Sequence, residues 1–323
     1  MKILIIRFSS IGDIVLTTPV IRCLKQQLED VEVHYLTKKS FKTVLDQNPY
    51  IDKLHLLESS LSDTIKQLRA ENFDYIIDLH HNLRTRIIKF RLGIESRSFD
   101  KLNIEKWMMV NLHLNKLPKI HIVDRYLKTV EFLGVKNDDQ GLDYFLADEY
   151  DLQTLLPATH QSFIGLAIGA QHATKRLPQD KLIELCTKIK RPIVLLGGPD
   201  DVLRAEEICR LAGNHVYNAC GKLTLDQSAF LVKKSEQIIT HDTGLMHIAA
   251  AFNKPIISIW GNTIPEFGMY PYRVSQSEII EVKGLPCRPC SKIGYDKCPR
   301  GHFKCMNNID LNLVESLTIV QTT

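Results

Sequence analysis

At 323 residues, with 44% hydrophobic and 24% charged side chains, the chain has the balance of a globular protein rather than a disordered or fibrous one, and the length of two α/β cores of roughly 150 residues with a cleft between them. Lys and Arg number 41 against 37 Asp and Glu, and a net charge of +4 excludes a general nucleic-acid binder while leaving room for local basic clusters that hold an anionic substrate. Only a few apolar residues separate Met1-Lys2 from Arg7, and no run of about 20 apolar residues follows, so a cytoplasmic protein with reduced or metal-bound cysteines is expected.

In chain order, short apolar β-type runs alternate with helical patterns: strand over 2–8, helix 14–28, strand 31–37, a short helix near 41–45, strand 53–57, helix 62–71 and strand 75–79. That rhythm builds βαβ units on a parallel sheet. A helix over 122–133, stopped by Gly134 where a C-cap glycine belongs, closes the first half. Residues 136–159 turn acidic and irregular and read as a linker. The rhythm restarts with strand 163–168, helix 178–189, strand 192–196, helix 201–211 and strand 216–218. Helix 226–233, strand 237–240, helix 245–252 and strand 255–260 follow. Two doubly wound parallel-sheet α/β domains are therefore expected, over 1–150 and 160–323, with ligands at the carboxyl ends of the strands.

Four loops at such strand ends carry chemistry. Ser9-Ser10-Ile11-Gly12-Asp13 offers hydroxyls and free helix N–H groups, and Asp13 reads either as a helix cap or as a general base for an acceptor hydroxyl. Asp78-Leu79-His80-His81-Asn82-Leu83-Arg84-Thr85-Arg86 brings histidines and arginines to a strand end, which suits a carboxylate or phosphate. A solvated basic helix start is the alternative, although cations at a helix N-terminus oppose the macrodipole. The third loop, Gly169 to Pro178, sets Thr174 and Lys175 beside backbone N–H groups, as a diphosphate site requires, and matches neither a Walker A nor a G-x-G-x-x-G pattern. In the fourth, His241-Asp242-Thr243-Gly244-Leu245-Met246-His247, small residues open a helix N-terminus to a ligand; its plain reading is Asp242 as an N-cap and His247 as an interior histidine.

Taken together, these residues resemble glycosyltransferase family 9, the lipopolysaccharide heptosyltransferases of the GT-B fold, whose S-S-x-G-D turn is matched by Ser9 to Asp13. The likeness runs on through Asp78 to Arg84, Thr174 to Pro178, Gly197-Gly198-Pro199-Asp200 and Asp242 to His247, in order, to the C-terminal cysteines. It implies two Rossmann-like domains facing a cleft, the N-terminal one for the acceptor and the C-terminal one for the nucleotide sugar. It also implies an inverting, metal-independent transfer in which Asp13 activates the acceptor hydroxyl. The diphosphate leaving group falls to Lys175, Thr174 and the N–H groups of the Asp242-to-Leu245 turn. Thr243, Gly244, Leu245 and His247 fall where the family holds the donor, and Asp200 or Asp201 lies near the ribose. Ser10, Gly12, His81, Arg84 and Arg86 are the matching acceptor-side residues. The implied donor is ADP-heptose and the implied acceptor a lipopolysaccharide core or related anionic glycolipid, reached by transient contact with the inner-membrane surface.

Cys287-x-x-Cys290, Cys298 and Cys305 lie within residues 287–305; the first pair has metal-ligand spacing and the second is wider than in zinc ribbons. A structural zinc, with His302 able to replace one thiolate, stands beside free or redox-paired thiols as a reading. Cys23, Cys186, Cys209 and Cys220 read as small core residues. Two rival functions remain at this point: another GT-B nucleotide-sugar enzyme such as an epimerase, which needs no acceptor, and a noncatalytic zinc-containing binding protein.

Overall fold

The computed structural model describes residues 1–318 and divides into two compact units, Met1–Leu102 with Ile120–Ala147, and Asn103–Lys119 with residues 148–318. The first carries strands β1 (Lys2–Ile6), β2 (Glu32–Lys38), β3 (Lys53–Leu57), β4 (Tyr75–Asp78) and β5 (Ser96–Ser98) in the order β3-β2-β1-β4-β5, every pair parallel. A central parallel strand is covered on both faces, which is why β1 is an unbroken apolar run, Ile3 to Ile6 fully buried, rather than an alternating one. The order reverses between β1 and β4, so the loops leaving these two strands flank the switch point.

The expected helix over 14–28 is two helices, Ile11–Val15 and Thr18–Gln27. Pro19 sits in the first turn of the second, the one part of a helix that tolerates its missing N–H, and the Thr17 hydroxyl donates to the Ile14 carbonyl at 2.6 Å between them. The expected linker is also more than a connection, because its first part is fastened to the first unit by the buried Arg22. That guanidinium donates to both Asp138 carboxylate oxygens (2.7 and 2.9 Å) and to the Gly141 carbonyl (2.9 Å), and pairs with Asp143. Residues 103–119, which lie inside the span expected for the first domain, group with the second unit; their helix Asn103–Leu112 lays Lys106 over the Phe267 ring.

The second unit holds β6 (Ile164–Ala167), β7 (Ile193–Leu196), β8 (Val216–Asn218), β9 (Gln237–His241), β10 (Ile256–Trp260) and β11 (Ser277–Glu281), again all parallel, in the order β11-β10-β9-β6-β7-β8. Numbered from its own first strand this is the dinucleotide-fold order 3-2-1-4-5-6 reversed end for end, with the switch point between β6 and β9. The edge strand β11, Ser-Glu-Ile-Ile-Glu, has too little apolar character to be read from sequence. Its core packs Leu166, Leu185, Leu195, Ile208 and Ile257 with Cys186, Cys220, Cys305 and Met306. No described helix is long and apolar enough to cross a membrane.

Candidate active site

In the first unit β1 delivers its chain to the turn Ser9–Asp13, and the Asp13 carboxylate is held there from two sides. One oxygen pairs with Arg7 Nη2 at 2.7 Å; the other accepts from the Ser10 hydroxyl (2.8 Å) and the Ser10 N–H (3.2 Å). Asp13 thus performs the cap expected of its position and, in addition, forms an ion pair that the sequence reading missed. Arg7 is buried and otherwise committed to carbonyls, Ser9 at 2.7 Å and Leu79 at 2.6 Å, with the Tyr126 hydroxyl at 3.1 Å. Burial alone would lower the Arg7 pKa, yet the Asp13 charge, with Tyr126 and Tyr35, carries it above the usual arginine value. Gly12 is buried in the short helix, and Ser10 is exposed.

The loop after β4 is organised by Asp78, which is fully buried. Its Oδ1 accepts from the N–H groups of His80 (3.1 Å) and His81 (2.7 Å), and Oδ2 pairs with Lys89 at 2.8 Å. His80 packs on the Phe8 ring, and burial, helped by Arg7 and Lys101, pushes its pKa down to about 4, leaving a neutral imidazole at physiological pH. His81 stands in the left-handed region and its Nδ1 meets the Phe99 carbonyl at 3.1 Å. Asn82 then caps the helix Leu83–Leu92, accepting from Thr85 N–H at 3.0 Å, so that Arg84 and Arg86 emerge exposed on its first turns.

In the second unit the loops leaving β6 and β9 meet at the switch point. Lys175 Nζ lies 2.6 Å from Asp242 Oδ2, an oxygen that also accepts from the Thr263 hydroxyl at 3.0 Å. Asp242 is buried and the Lys175 side chain only 16% exposed, so the ammonium is fixed rather than trailing in solvent. Immediately beyond, the helix Gly244–Ala251 begins with Thr243 at its N-cap, and Thr243, Gly244 and Leu245 keep partial exposure. The first N–H groups of a helix lack intrahelical partners, which together with a fixed ammonium is the chemistry an anion site requires. His247 is one turn farther in and buried.

Two expected donor ligands do other work. Thr174 is buried, and its hydroxyl both donates to the Tyr295 carbonyl (3.1 Å) and accepts from the Tyr295 N–H (2.8 Å). Asp201 is buried beneath the loops rather than turned to a ribose: Oδ2 accepts from Gly198 N–H at 3.1 Å, and Arg176 stands 3.8 Å from Oδ1. A Cβ on Gly169 would meet Asp201 Oδ2 at 2.3 Å, which is why the loop after β6 needs a glycine there. Asp200, its neighbour, is the exposed carboxylate of the pair.

The loop leaving β10 was not singled out from sequence, although it too follows a strand. Thr263 supports Asp242, and Asn262 is buried with neither amide atom hydrogen-bonded among the described residues, an arrangement that asks for a partner from outside the chain. Arg288 ties this loop down through the Gly261 carbonyl (2.6 Å) and the Thr263 carbonyl (2.8 Å), and pairs with Glu281 at 2.7 Å.

Cys287, Cys290, Cys298 and Cys305 are free thiols; the first three are half-buried and Cys305 is packed in the core. Burial, reinforced by the neighbouring sulfurs, raises the Cys290 thiol and pushes Cys305 up to about 11. Cys287 Sγ is 3.7 Å from His302 Nε2. Each of the other three sulfurs acts electrostatically on Cys305, so the four lie in one neighbourhood with His302 beside Cys287, and nothing in their placement overturns the expected structural zinc. Their segment, 282–303, has neither helix nor strand and lies against the Lys175 loop, with Thr174 and Tyr295 bonded as above.

The family model for glycosyltransferase family 9 (heptosyltransferase) matches residues 62–297. Lipopolysaccharide heptosyltransferase 1 of Campylobacter coli is 29% identical over 290 residues, covering 81% of this chain and 84% of that one. Among solved structures, the glycosyl transferase family 9 protein from Veillonella parvula superposes with a TM-score of 0.79 at 21% identity, covering 98% of this chain and 96% of the other. The E. coli ADP-heptose LPS heptosyltransferase II gives 0.70 at 21% identity, covering 98% and 100%.

Proposed function

The chain belongs to glycosyltransferase family 9, and we propose that within it this enzyme transfers heptose from ADP-heptose to a lipopolysaccharide core, inverting the anomeric carbon. One observation carries the donor half of this reading: at the β6/β9 switch point a carboxylate-anchored ammonium, Lys175 on Asp242, stands beside an open helix N-terminus. In the transfer the acceptor oxygen forms its bond to the anomeric carbon as its proton passes to the Asp13 carboxylate. The bond from that carbon to the diphosphate breaks, and its electron pair leaves with ADP, whose growing charge Lys175 and the N–H groups of Gly244 and Leu245 stabilise. Asn262 is a further candidate for donor contact, because a ligand would satisfy its amide. No step is routed through a metal or through the four cysteines.

On the acceptor side, His81, Arg84 and Arg86 supply a cationic strand end for an anionic core sugar. The helix they open, Leu83–Leu92, contains Arg84, Arg86, Lys89 and Arg91, no acid, and two apolar residues strongly exposed, Leu83 at 71% and Phe90 at 88%. That combination supports peripheral docking to an anionic membrane surface at the cytoplasmic face, where a lipid-linked acceptor resides.

Calorimetric titration with ADP, UDP and GDP tests the donor: preference for ADP, weakened in Lys175→Ala, is expected, and preference for UDP or GDP would change the sugar class. Product formation that requires added glycolipid distinguishes transfer from epimerisation, which proceeds on the donor alone.

A further inference from the structure

On β2 and β3, at one edge of the first sheet, two buried histidines face one another. His34 is the third residue of β2 and His55 the third of β3; the register sets His55 opposite Leu36, so the two imidazoles leave the same face one step apart. His34 Nδ1 and His55 Nε2 are 3.0 Å apart, and Glu71 Oε2, from the turn beyond helix Leu61–Arg69, is 3.9 Å from His34 Nδ1. The three ligand atoms lie within 4.8 Å of one another, and the Phe73 ring stands edge-on to both imidazoles, at 5.2 and 6.1 Å between centroids.

On its far side His34 Nε2 is 3.5 Å from Glu32 Oε2. A proton on Nε2, directed at that carboxylate, leaves the Nδ1 lone pair pointing at His55, and this is how metal-binding histidines are usually oriented, with the second ring nitrogen donating to a carboxylate. Both imidazoles are buried, 2% and 7% exposed, so water does not compete for their lone pairs from every side. Lys2 and Lys53 pair with Glu71, and Lys2 with Glu32, which leaves the cluster balanced. Lys53 is half exposed and can swing into solvent when a cation takes its place on Glu71.

We propose that His34 Nδ1, His55 Nε2 and a Glu71 carboxylate oxygen bind a divalent transition ion of the zinc class, with water as fourth ligand. Zinc–nitrogen bonds of about 2.0–2.1 Å in a tetrahedron put two ligand nitrogens roughly 3.3 Å apart, close to the spacing already present. His55 shifts its proton from Nε2 to Nδ1 on binding, and the ion clips β2, β3 and the turn after the helix together, remote from the transfer chemistry.

The test uses the full chain, stripped with chelator and titrated with Co2+, whose spectrum separates ligand types: thiolates give intense sulfur-to-metal charge transfer, whereas nitrogen and oxygen ligands give weaker d–d bands alone. One equivalent of d–d absorption without charge transfer is expected, absent from His55→Gln. Glu32→Gln, at a half-exposed position, should fold normally and weaken binding about 10-fold or more. Should His55→Gln not fold, Glu71→Gln decides: its Tm should fail to rise with Zn2+ where that of the wild type rises. Failure of the wild type to take up Co2+, d–d bands that come only with sulfur charge transfer and survive in His55→Gln, or metal responses in Glu71→Gln and Glu32→Gln equal to those of the wild type would each overturn the site and leave a purely structural histidine pair.

Discussion

Lys175→Ala is the sharpest probe of the donor reading, because the structure fixes both the charge removed and the charge left behind. A charge-assisted hydrogen bond contributes about 1.5–3 kcal/mol, so its loss should weaken ADP binding roughly 10- to 150-fold. The deletion also strips Asp242 of the cation 2.6 Å from its carboxylate and leaves a buried acid facing the incoming diphosphate, with the Thr263 hydroxyl as the remaining side-chain donor to it among the described residues. The loss should therefore fall near the upper end of that range. In the double variant Lys175→Ala with Asp242→Asn the repulsion disappears, and affinity should recover part of the way while remaining below wild type. Calorimetry on the four members of this cycle, at constant ionic strength, gives the coupling directly. Wild-type affinity in Lys175→Ala, or a double variant weaker than the sum of the singles, would refute the view of Asp242 as the anchor of a phosphate-binding lysine.

Asp13→Asn should retain ADP binding and lose turnover by about a hundredfold or more, measured as kcat with donor saturating, since the amide keeps the Ser10 contacts but cannot take a proton. The pKa of His241, which accepts from Leu177 N–H at 3.0 Å, is driven down to about 3 by burial, assisted by Arg204 and Arg176 and opposed by the Ala167 backbone and Asp242. Its stability contribution is thus complete above about 6.5, the unfolded value, and drains away as pH falls from there toward 3. Urea midpoints at a series of pH values should drop over that window, and His241→Gln should flatten the decline. Gly169→Ala should destabilise by roughly 1–3 kcal/mol through the clash with Asp201, and the double variant with Asp201→Ala should recover most of it in the same denaturation assay.

The parallel sheets were legible because strands such as Ile3–Ile6 and Ile193–Leu196 are buried on both faces and declare themselves as apolar runs. The loops at their carboxyl ends were legible for the same reason, and the structure brings Ser10 to Asp13 and Lys175 to Asp242. What stayed hidden depends on partners distant in the chain. Nothing local distinguishes Arg7 as the mate of Asp13, since its other contacts, Leu79 and Tyr126, come from much later in sequence. Thr174 looked like a phosphate ligand because hydroxyl and lysine are adjacent; only the return of Tyr295 reveals that its hydroxyl is spent. Strand β11 and the grouping of residues 103–119 escaped because polar edges and exposed helices carry little periodic signal.

The irregular 282–303 segment gives the second unit an unusual dependence. Its backbone at Tyr295 is the hydrogen-bond mate of Thr174, the residue just before Lys175, and Gly294 is packed so tightly on His172 that a Cβ there would lie 2.5 Å from the His172 Cβ. The shape of the turn that carries Lys175 is thus borrowed from a stretch of chain that contains Cys287, Cys290 and Cys298. A mixed disulfide or an alkyl group on one of these half-buried sulfurs would act as a wedge whose displacement arrives at the turn carrying Lys175. Under the proposed assignment of roles, inhibition by thiol reagents would therefore show as weaker donor binding, with the general-base role proposed for Asp13 untouched.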